Sequence, residues 1–292
     1  MSDYDLLVVG GGVNGVGVAR DAAGRGLSVL LCEKDDLAQH TSSWSTKLIH
    51  GGLRYLEQYE FRLVREALIE REVLLEAAPH LVRPLRFILP HHKGLRPRFV
   101  LRLGLWLYDR LGGRKVLPAT TTIDLARDPR GAPLTDAYAF GFEYTDCAVD
   151  DSRLVAVNAV DARRRGATVL TRTEVIGGRR DGARWRCAIR DEAGVERRVT
   201  ARAIVNAAGP WVSGLFDRID GPEPKKRLRL VKGSHIVTRR LYDHDRAYIF
   251  QNSDGRVVFA IPWTGDTTLL GTTDEAFEGE PAAAAISEAE IA

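Results

Sequence analysis

"YDLLVVGGGVNGVGVARDAAGRGLSVLLCEK", residues 4–34, reads as one strand–helix–strand unit. Leu6–Val9 is an apolar strand, residues 13–25 have helical character, Gly26 stops the helix, and Leu27–Cys32 forms a second buried strand. Gly10-x-Gly12-x-x-Gly15 occupies the turn between the first strand and the helix. Gly10 permits the tight turn, Gly12 lets a pyrophosphate approach the backbone, and Gly15 lets the helix pack on the strand. The helix N-terminus presents N–H groups and partial positive charge to a diphosphate. Glu33 ends the second strand where a carboxylate accepts hydrogen bonds from ribose hydroxyls. Strand, glycines, helix, second strand and acid together predict an ADP-containing cofactor.

A second segment distinguishes FAD from NAD. "VTARAIVNAAGPW" (199–211) is another buried strand, ending in the small-residue turn Ala207-Ala208-Gly209-Pro210. It is similar to the strand with which two-domain flavoproteins complete their FAD site, and Val175 falls where such proteins place backbone beside the adenine. The return of the nucleotide fold after a long insertion favours FAD. Read alone, "NAAGPW" is equally a strand end before a turn.

The bulk numbers exclude several classes. A chain of 292 residues, 45% hydrophobic and 28% charged, buries a large core and divides into two domains. A net charge of +3 is too small to imply nucleic acid. Cys32, Cys147 and Cys187 form no CxxC pair and have no zinc-ligand spacing, so no metal is expected and a reducing cytoplasm fits. Acidic Asp3 and Asp5 lead straight into a strand, unlike a signal peptide. No apolar run reaches the ~18 residues of a membrane span.

"TSSWSTKLIHGGLRYLEQYEFRLVREALIEREVLLEAAPHL" (41–81) strongly resembles the FAD-dependent glycerol-3-phosphate dehydrogenases of the aerobic, quinone-linked type. "GFEYTDCAVDDSRLV" (141–155), "VNAAGPWV" (205–212), "LVKGSHIV" (230–237), "YIFQNSDGRVVFAIPW" (248–263) and "LLGTTD" (269–274) match in family order. The resemblance implies an α/β fold in which a Rossmann-like FAD domain (1–78 and 141–218) is interleaved with an α+β substrate domain (79–140 and 219–292). It implies that Thr41, Ser42, Ser43 and Lys47 lie along the FAD and that His50-Gly51-Gly52 packs beside the flavin ring. It also implies that Arg54 and Tyr55 face the substrate, sn-glycerol 3-phosphate. Glycines at 51 and 52 allow backbone to approach a flat ring, and a guanidinium forks onto phosphate oxygens.

Oxidising the substrate's C2 alcohol requires a base for the hydroxyl proton, and histidine suits that role. His50 is the first choice and His235 in "KGSH" the second. Lys232 is expected to hold the substrate anion or to stabilise reduced flavin, and Thr273 in "GTTD" to contact substrate oxygens. Asp274 has two readings, as a substrate contact or as a partner orienting a base. Residues 59–78 predict an amphipathic helix with Phe61, Leu63, Val64, Ala67, Leu68, Leu74, Leu75 and Ala78 in one arc and Arg62, Glu66 and Glu70 opposite.

"HHKGLRPRFVLRLGLWLYDRLGGRK" (91–115) sets apolar residues among seven cations and one acid, Asp109. It fits a helix at an anionic membrane surface, which a partner such as ubiquinone or menaquinone would require, although the segment taken alone reads first as a core helix with a basic rim. A second basic run, 225–232, alternates like a strand and adds positive potential for a phosphorylated substrate. Ser287-x-x-Glu290 has capping-box spacing, so a helix begins there. Family members continue well past this point, which implies that a C-terminal cap and part of the substrate domain lie beyond residue 292. The expected protein is a peripheral enzyme on the inner face of the cytoplasmic membrane, with a homodimer as a candidate assembly. The alternatives are an oxidase passing electrons to oxygen, a non-catalytic flavin-binding fragment, and a related flavoprotein acting on amino or hydroxy acids.

Overall fold

The computed structural model describes residues 2–113, 116–221, 228–252 and 255–291. Arg114 and Lys115 of the first basic run and Lys225, Lys226 and Arg227 of the second lie outside the described residues. The chain begins β1 (Ser2–Val9), α1 (Val13–Gly24), β2 (Val29–Cys32), β3 (Leu48–Ile49), α2 (Leu53–Glu57), α3 (Phe61–Ala77), β4 (Val82–His91), α4 (Arg98–Leu111), β5 (Thr121–Ile123) and β6 (Phe140–Val149). It continues with α5 (Asp151–Arg164), β7 (Thr168–Leu170), β8 (Thr173–Asp181), β9 (Arg184–Asp191), β10 (Glu196–Asn206) and α6 (Val212–Phe216). The last elements are β11 (Val231–Lys232), β12 (His235–Arg239), β13 (Ala247–Gln251), β14 (Val257–Trp263), β15 (Thr267–Gly271), β16 (Glu275–Ala276) and α7 (Glu288–Ile291).

Two compact units result. The first comprises Met1–Ser45, Asp150–Leu230 and Glu278–Ala282. Its six-stranded sheet runs β7-β2-β1-β10-β9-β8, with β7, β2, β1 and β10 parallel and the β10-β9-β8 end antiparallel. The "VLLC" strand is buried along its whole length because both faces of a parallel sheet are covered. On one face Val16, Ala19, Ala22 and Ala23 of α1 meet Val155, Ala159 and Ala162 of α5 and Val8 and Leu31 of the sheet. These small residues allow close helix packing.

The second unit comprises Thr46–Val149, Val231–Phe277 and Ala283–Ala292. Its main sheet runs β12-β15-β14-β13-β4-β6-β3, with β5 also paired to β6, and only β13–β4 is parallel. Alternation along β4 sends Phe87 and Leu89 to one side, against Val64, Leu68, Leu105 and Tyr108 of α3 and α4, and Ile88 to the other. A separate two-stranded ribbon pairs β11 with β16.

The unit boundaries differ from those expected. Residues 46–78 and 141–149 belong to the second unit, because β3 pairs with β6 and β6 forms a ten-residue ladder with β4 that α3 packs against. The expected helix 59–78 is α3, but its buried face differs: Val64, Leu68, Arg71 and Glu72 point inward, while Phe61 and Leu63 are 40% and 47% exposed. Of the basic run 225–232, only Val231 and Lys232 form a strand among the described residues.

Candidate functional site

Among the described residues the first unit holds a cavity of about 270 Å³, lined by the β1–α1 turn, the end of β2, residues 38–42, the start of β8 and the β10–α6 turn. Gly10, Gly12, Glu33, Thr41, Ser42, Val175, Ala207 and Gly209 all line it. Gly15 and Ser43 lie outside the lining. A Cβ on Gly15 would fall 1.8 Å from the Gly10 carbonyl oxygen, and the Ser43 hydroxyl donates to the His40 carbonyl at 3.1 Å. Gly10 has φ +111°, and a Cβ there would meet the Ala207 carbonyl oxygen at 2.4 Å.

Side chains complete the turn. Ser42 Oγ accepts the Val13 N–H at 2.9 Å, capping the first turn of α1. The Glu33 carboxylate accepts the Gly11 N–H at 2.6 Å and the Asp35 N–H at 2.8 Å, one on each oxygen. A carboxylate has about four acceptor sites, so Glu33 keeps capacity for ribose hydroxyls. Sequence reasoning missed Lys34, His40 and Trp211, which also line the cavity. Lys34 Nζ lies 3.7 Å from the Trp211 ring centre, the His40 ring packs on the same indole at 4.5 Å, and Trp211 Nε1 donates to Glu280 at 2.6 Å. Trp211 stood within the quoted "NAAGPW", but nothing local links it to Lys34. Glu33, Asp35 and His40 bring ligand atoms within 4.8 Å of one another, yet His40 Nε2 is already paired with Asp35 at 2.6 Å and Glu33 with backbone.

The second unit gathers the histidines. His235 on β12 and Phe259 on β14 both register against Gly271 of β15, so the two rings share a face on either side of a residue without a side chain. His235 fills that space: a Cβ on Gly271 would lie 2.5 Å from His235 Cδ2. The His50 ring stands edge-on to Phe259 at 6.4 Å. His235 Nε2 is 3.0 Å from Thr46 Oγ1, and burial, followed by the Lys47 ammonium, lowers its pKa below 6.5. Lys47 adopts φ +61°, held by a 2.9 Å bond from the Val149 N–H to its carbonyl, and its Nζ lies 5.6 Å from the Trp263 ring centre.

His50 has a defined tautomer. Its Nδ1 accepts the Gly52 N–H at 3.1 Å, so the neutral ring carries its proton on Nε2. Gly51 and Gly52 are buried; a Cβ on Gly51 would press on Leu68 and Tyr108, and one on Gly52 (φ +69°) on the Tyr55 ring. Arg54 and Tyr55 follow on α2, both exposed.

Two of the expected substrate-site residues are bonded within the chain itself. Lys232 Nζ donates to Glu290 at 2.7 Å and to the Ala285 carbonyl at 2.9 Å, and faces Glu275 at 3.5 Å, so its three hydrogens are engaged. Thr273 Oγ1 donates to Glu290 at 2.6 Å and accepts the Ser234 N–H at 2.9 Å. Ser234 and Ser287 also donate to Glu290. Burial alone would raise the Glu290 carboxyl, but these bonds, led by Lys232, hold it well below the usual carboxylate range. Lys232 and Thr273 therefore tie β11, β12 and the end of β15 to α7.

The profile of the family described as FAD dependent oxidoreductase matches residues 5–292. The chain is 58% identical to a D-erythritol 1-phosphate dehydrogenase of Brucella abortus, over 98% of this chain and 57% of that protein. It is 56% identical to a glycerol-3-phosphate dehydrogenase of Pseudomonas aeruginosa, over 99% of this chain and 56% of that one. The structure of the Bacillus halodurans glycerol-3-phosphate dehydrogenase complexed with FAD superposes with a TM-score of 0.72 at 29% identity, covering 99% of this chain and 51% of that chain. The chain thus spans just over half the length of the curated relatives it matches. The cavity suits the ADP half of FAD: a Cβ on Gly10 would strike the Ala207 backbone and one on Gly12 would crowd the Ser42 hydroxyl, so backbone is open to a diphosphate there, and Glu33 stands at the end of β2 beside them.

Proposed function

Because the chain belongs to the FAD-dependent oxidoreductase family, we propose that it is the N-terminal part of a dehydrogenase that oxidises sn-glycerol 3-phosphate to dihydroxyacetone phosphate and passes the electrons to ubiquinone or menaquinone. The observation that carries this reading is the pair His50 and His235 around Phe259 and Gly271, in a chain 56% identical to a named glycerol-3-phosphate dehydrogenase. FAD, when bound, supplies the acceptor for the hydride that leaves C2. The chain's own residues bind, orient and deprotonate. Arg54, exposed on α2, forks onto the phosphate. His50 offers a hydrogen bond from Nε2 to a substrate oxygen, and His235, held neutral, takes the hydroxyl proton. This reverses the order of the two histidines expected from sequence.

Anaerobic mixing of the FAD-loaded protein with sn-glycerol 3-phosphate is expected to bleach the flavin, with glycerol inert. A flavin that stays yellow sinks the reading. The 58% identity to an erythritol-phosphate enzyme favours a second substrate, a four-carbon polyol phosphate with the same secondary alcohol beside a phosphorylated carbon. The faster bleaching of the two esters identifies the substrate.

No helix among the described residues is long and apolar enough to cross a membrane. Helix α4 is suited to lie on one. Phe99, Leu103 and Trp106 are 73%, 63% and 49% exposed at spacings of four and three, with Arg98, Arg102 and Arg110 exposed beside them, while Leu105 and Tyr108 face the core. Burying each such apolar side chain is worth about 1.5–3 kcal/mol. A Phe99→Ser/Leu103→Ser/Trp106→Ser variant is therefore expected to lose more than tenfold in flotation with anionic vesicles. Flotation equal to that of the parent protein would remove α4 from the membrane site, and with it the support for a quinone partner at the cytoplasmic face.

A further inference from the structure

Beneath the His50-Gly51-Gly52 turn lies a buried polar chain that the proposed chemistry does not use. Arg71 of α3, Asp146 of β6 and Tyr108 of α4 are almost wholly enclosed. Arg71 Nη1 donates to Asp146 at 2.6 Å and to the Thr145 carbonyl at 3.2 Å, and Nη2 donates to Glu72 at 3.1 Å. The Tyr108 hydroxyl donates to Asp146 at 2.8 Å, and its oxygen accepts the Gly51 N–H at 2.7 Å.

Every direction in this chain is set by chemistry. Arginine only donates, so Asp146 accepts; the tyrosine must then donate to Asp146, which leaves its lone pair for Gly51. A buried charge chain is a poor device for stability alone, since a packed apolar core serves as well. Its specific product is the placement of one peptide N–H, that of Gly51. The next N–H, of Gly52, is the one that fixes the His50 ring. Gly51 also lies flush on both helices, with a would-be Cβ 2.5 Å from Leu68 and 2.9 Å from the Tyr108 ring.

We propose that Tyr108 is a positioning residue. Held by Asp146 and Arg71, it clamps Gly51, and through that turn keeps the Gly52 N–H on His50 Nδ1, so that His50 presents its proton at Nε2. The proposal rests on the reading of His50 as a substrate donor, but its first test does not. Imidazole ¹⁵N shifts of the histidine-labelled protein, with His50 identified by its loss in His50→Asn, are expected to show Nδ1 unprotonated and Nε2 protonated. A wild-type ring protonated at Nδ1 overturns the clamp without any variant.

Tyr108→Phe keeps the ring and removes the hydroxyl. It is expected to give mixed tautomers at His50 and to slow the limiting rate of flavin reduction by sn-glycerol 3-phosphate about tenfold (about 1.4 kcal/mol), with half-saturation little changed. Leu105→Val loosens the same helix without touching the chain, and its reduction rate is expected to match wild type. A Tyr108→Phe protein with wild-type tautomer and rate refutes the proposal, as does Leu105→Val slowing the reaction equally. If wild-type flavin is not reduced at all, the functional reading fails by itself, and the tautomer in Tyr108→Phe still decides the clamp.

Discussion

Gly15→Ala is expected to yield a protein that cannot retain FAD. The new methyl group would lie 1.8 Å from the Gly10 carbonyl oxygen and 2.9 Å from its carbon, both backbone atoms. No rotamer relieves that clash, so α1 must move off β1. The turn that would move carries Gly10, Gly12 and the Val13 N–H, to which Ser42 Oγ is bonded, and it packs closely on Ala207, whose N–H bonds the Val9 carbonyl just before it. Overpacking costs about 1–3 kcal/mol, occasionally more, and here it displaces the cofactor's own cradle, so flavin retention is expected to fall at least about tenfold. Gly17→Ala is the matched control. It lies two residues on in the same helix, nothing stands within 4 Å of its Cβ, and exchanging glycine for alanine in a helix gains roughly 1 kcal/mol. Absorbance of the flavin after gel filtration distinguishes them: a yellow Gly15→Ala protein would show that the cradle does not depend on this contact.

The glycine turn and the cavity it lines were legible because their determinants are local. Gly10 and Gly12 lie in one turn, Gly15 in the first turn of the helix after it, and Glu33 at the end of the next strand. The second unit was harder for a physical reason. Periodicity along α3 correctly indicated a helix, but which arc is buried depends on what packs against it. Arg71 turns inward only because Asp146, distant in sequence, supplies its charge partner on β6. Phe61 and Leu63 are then left outside. Glu290 shows the same limit. The capping box with Ser287 was readable from spacing and is present, with Ser287 N–H donating to the Glu290 carboxylate at 2.7 Å. That Lys232, Ser234 and Thr273 would meet the same carboxylate was not readable, since strand pairing in the second unit brings them there. Lys232 and Thr273, expected as substrate ligands, both bond the Glu290 carboxylate, a contact that spacing could not show. Sequence ranked His50 ahead of His235, and the proposed order is the reverse, because it depends on a tautomer and a buried neighbour that spacing does not show.

His235→Asn is expected to slow flavin reduction by sn-glycerol 3-phosphate by about 10²–10⁴-fold, the range for loss of a general base. Asparagine keeps a polar group near Thr46 and leaves Gly271 uncrowded, so the loss reports chemistry more than packing. The pH dependence carries the sign. Burial and the Lys47 ammonium lower the folded-state pKa of His235 below 6.5, which disfavours the protonated ring. The ring is therefore neutral at pH 7, and with His235 as the proposed base the rate is expected to fall only when pH drops through that lowered value. Stability follows the same direction: the unfolded chain takes up a proton near 6.5 and the folded one does not, so the fold loses stability as pH falls below about 6.5. Lys47→Met removes the second cause, so the acid limb of the reduction rate is expected to move up towards 6.5. In His235→Asn that limb disappears with the residue. If the limb persists unmoved in both variants, the titrating base lies elsewhere, and His50 regains first place.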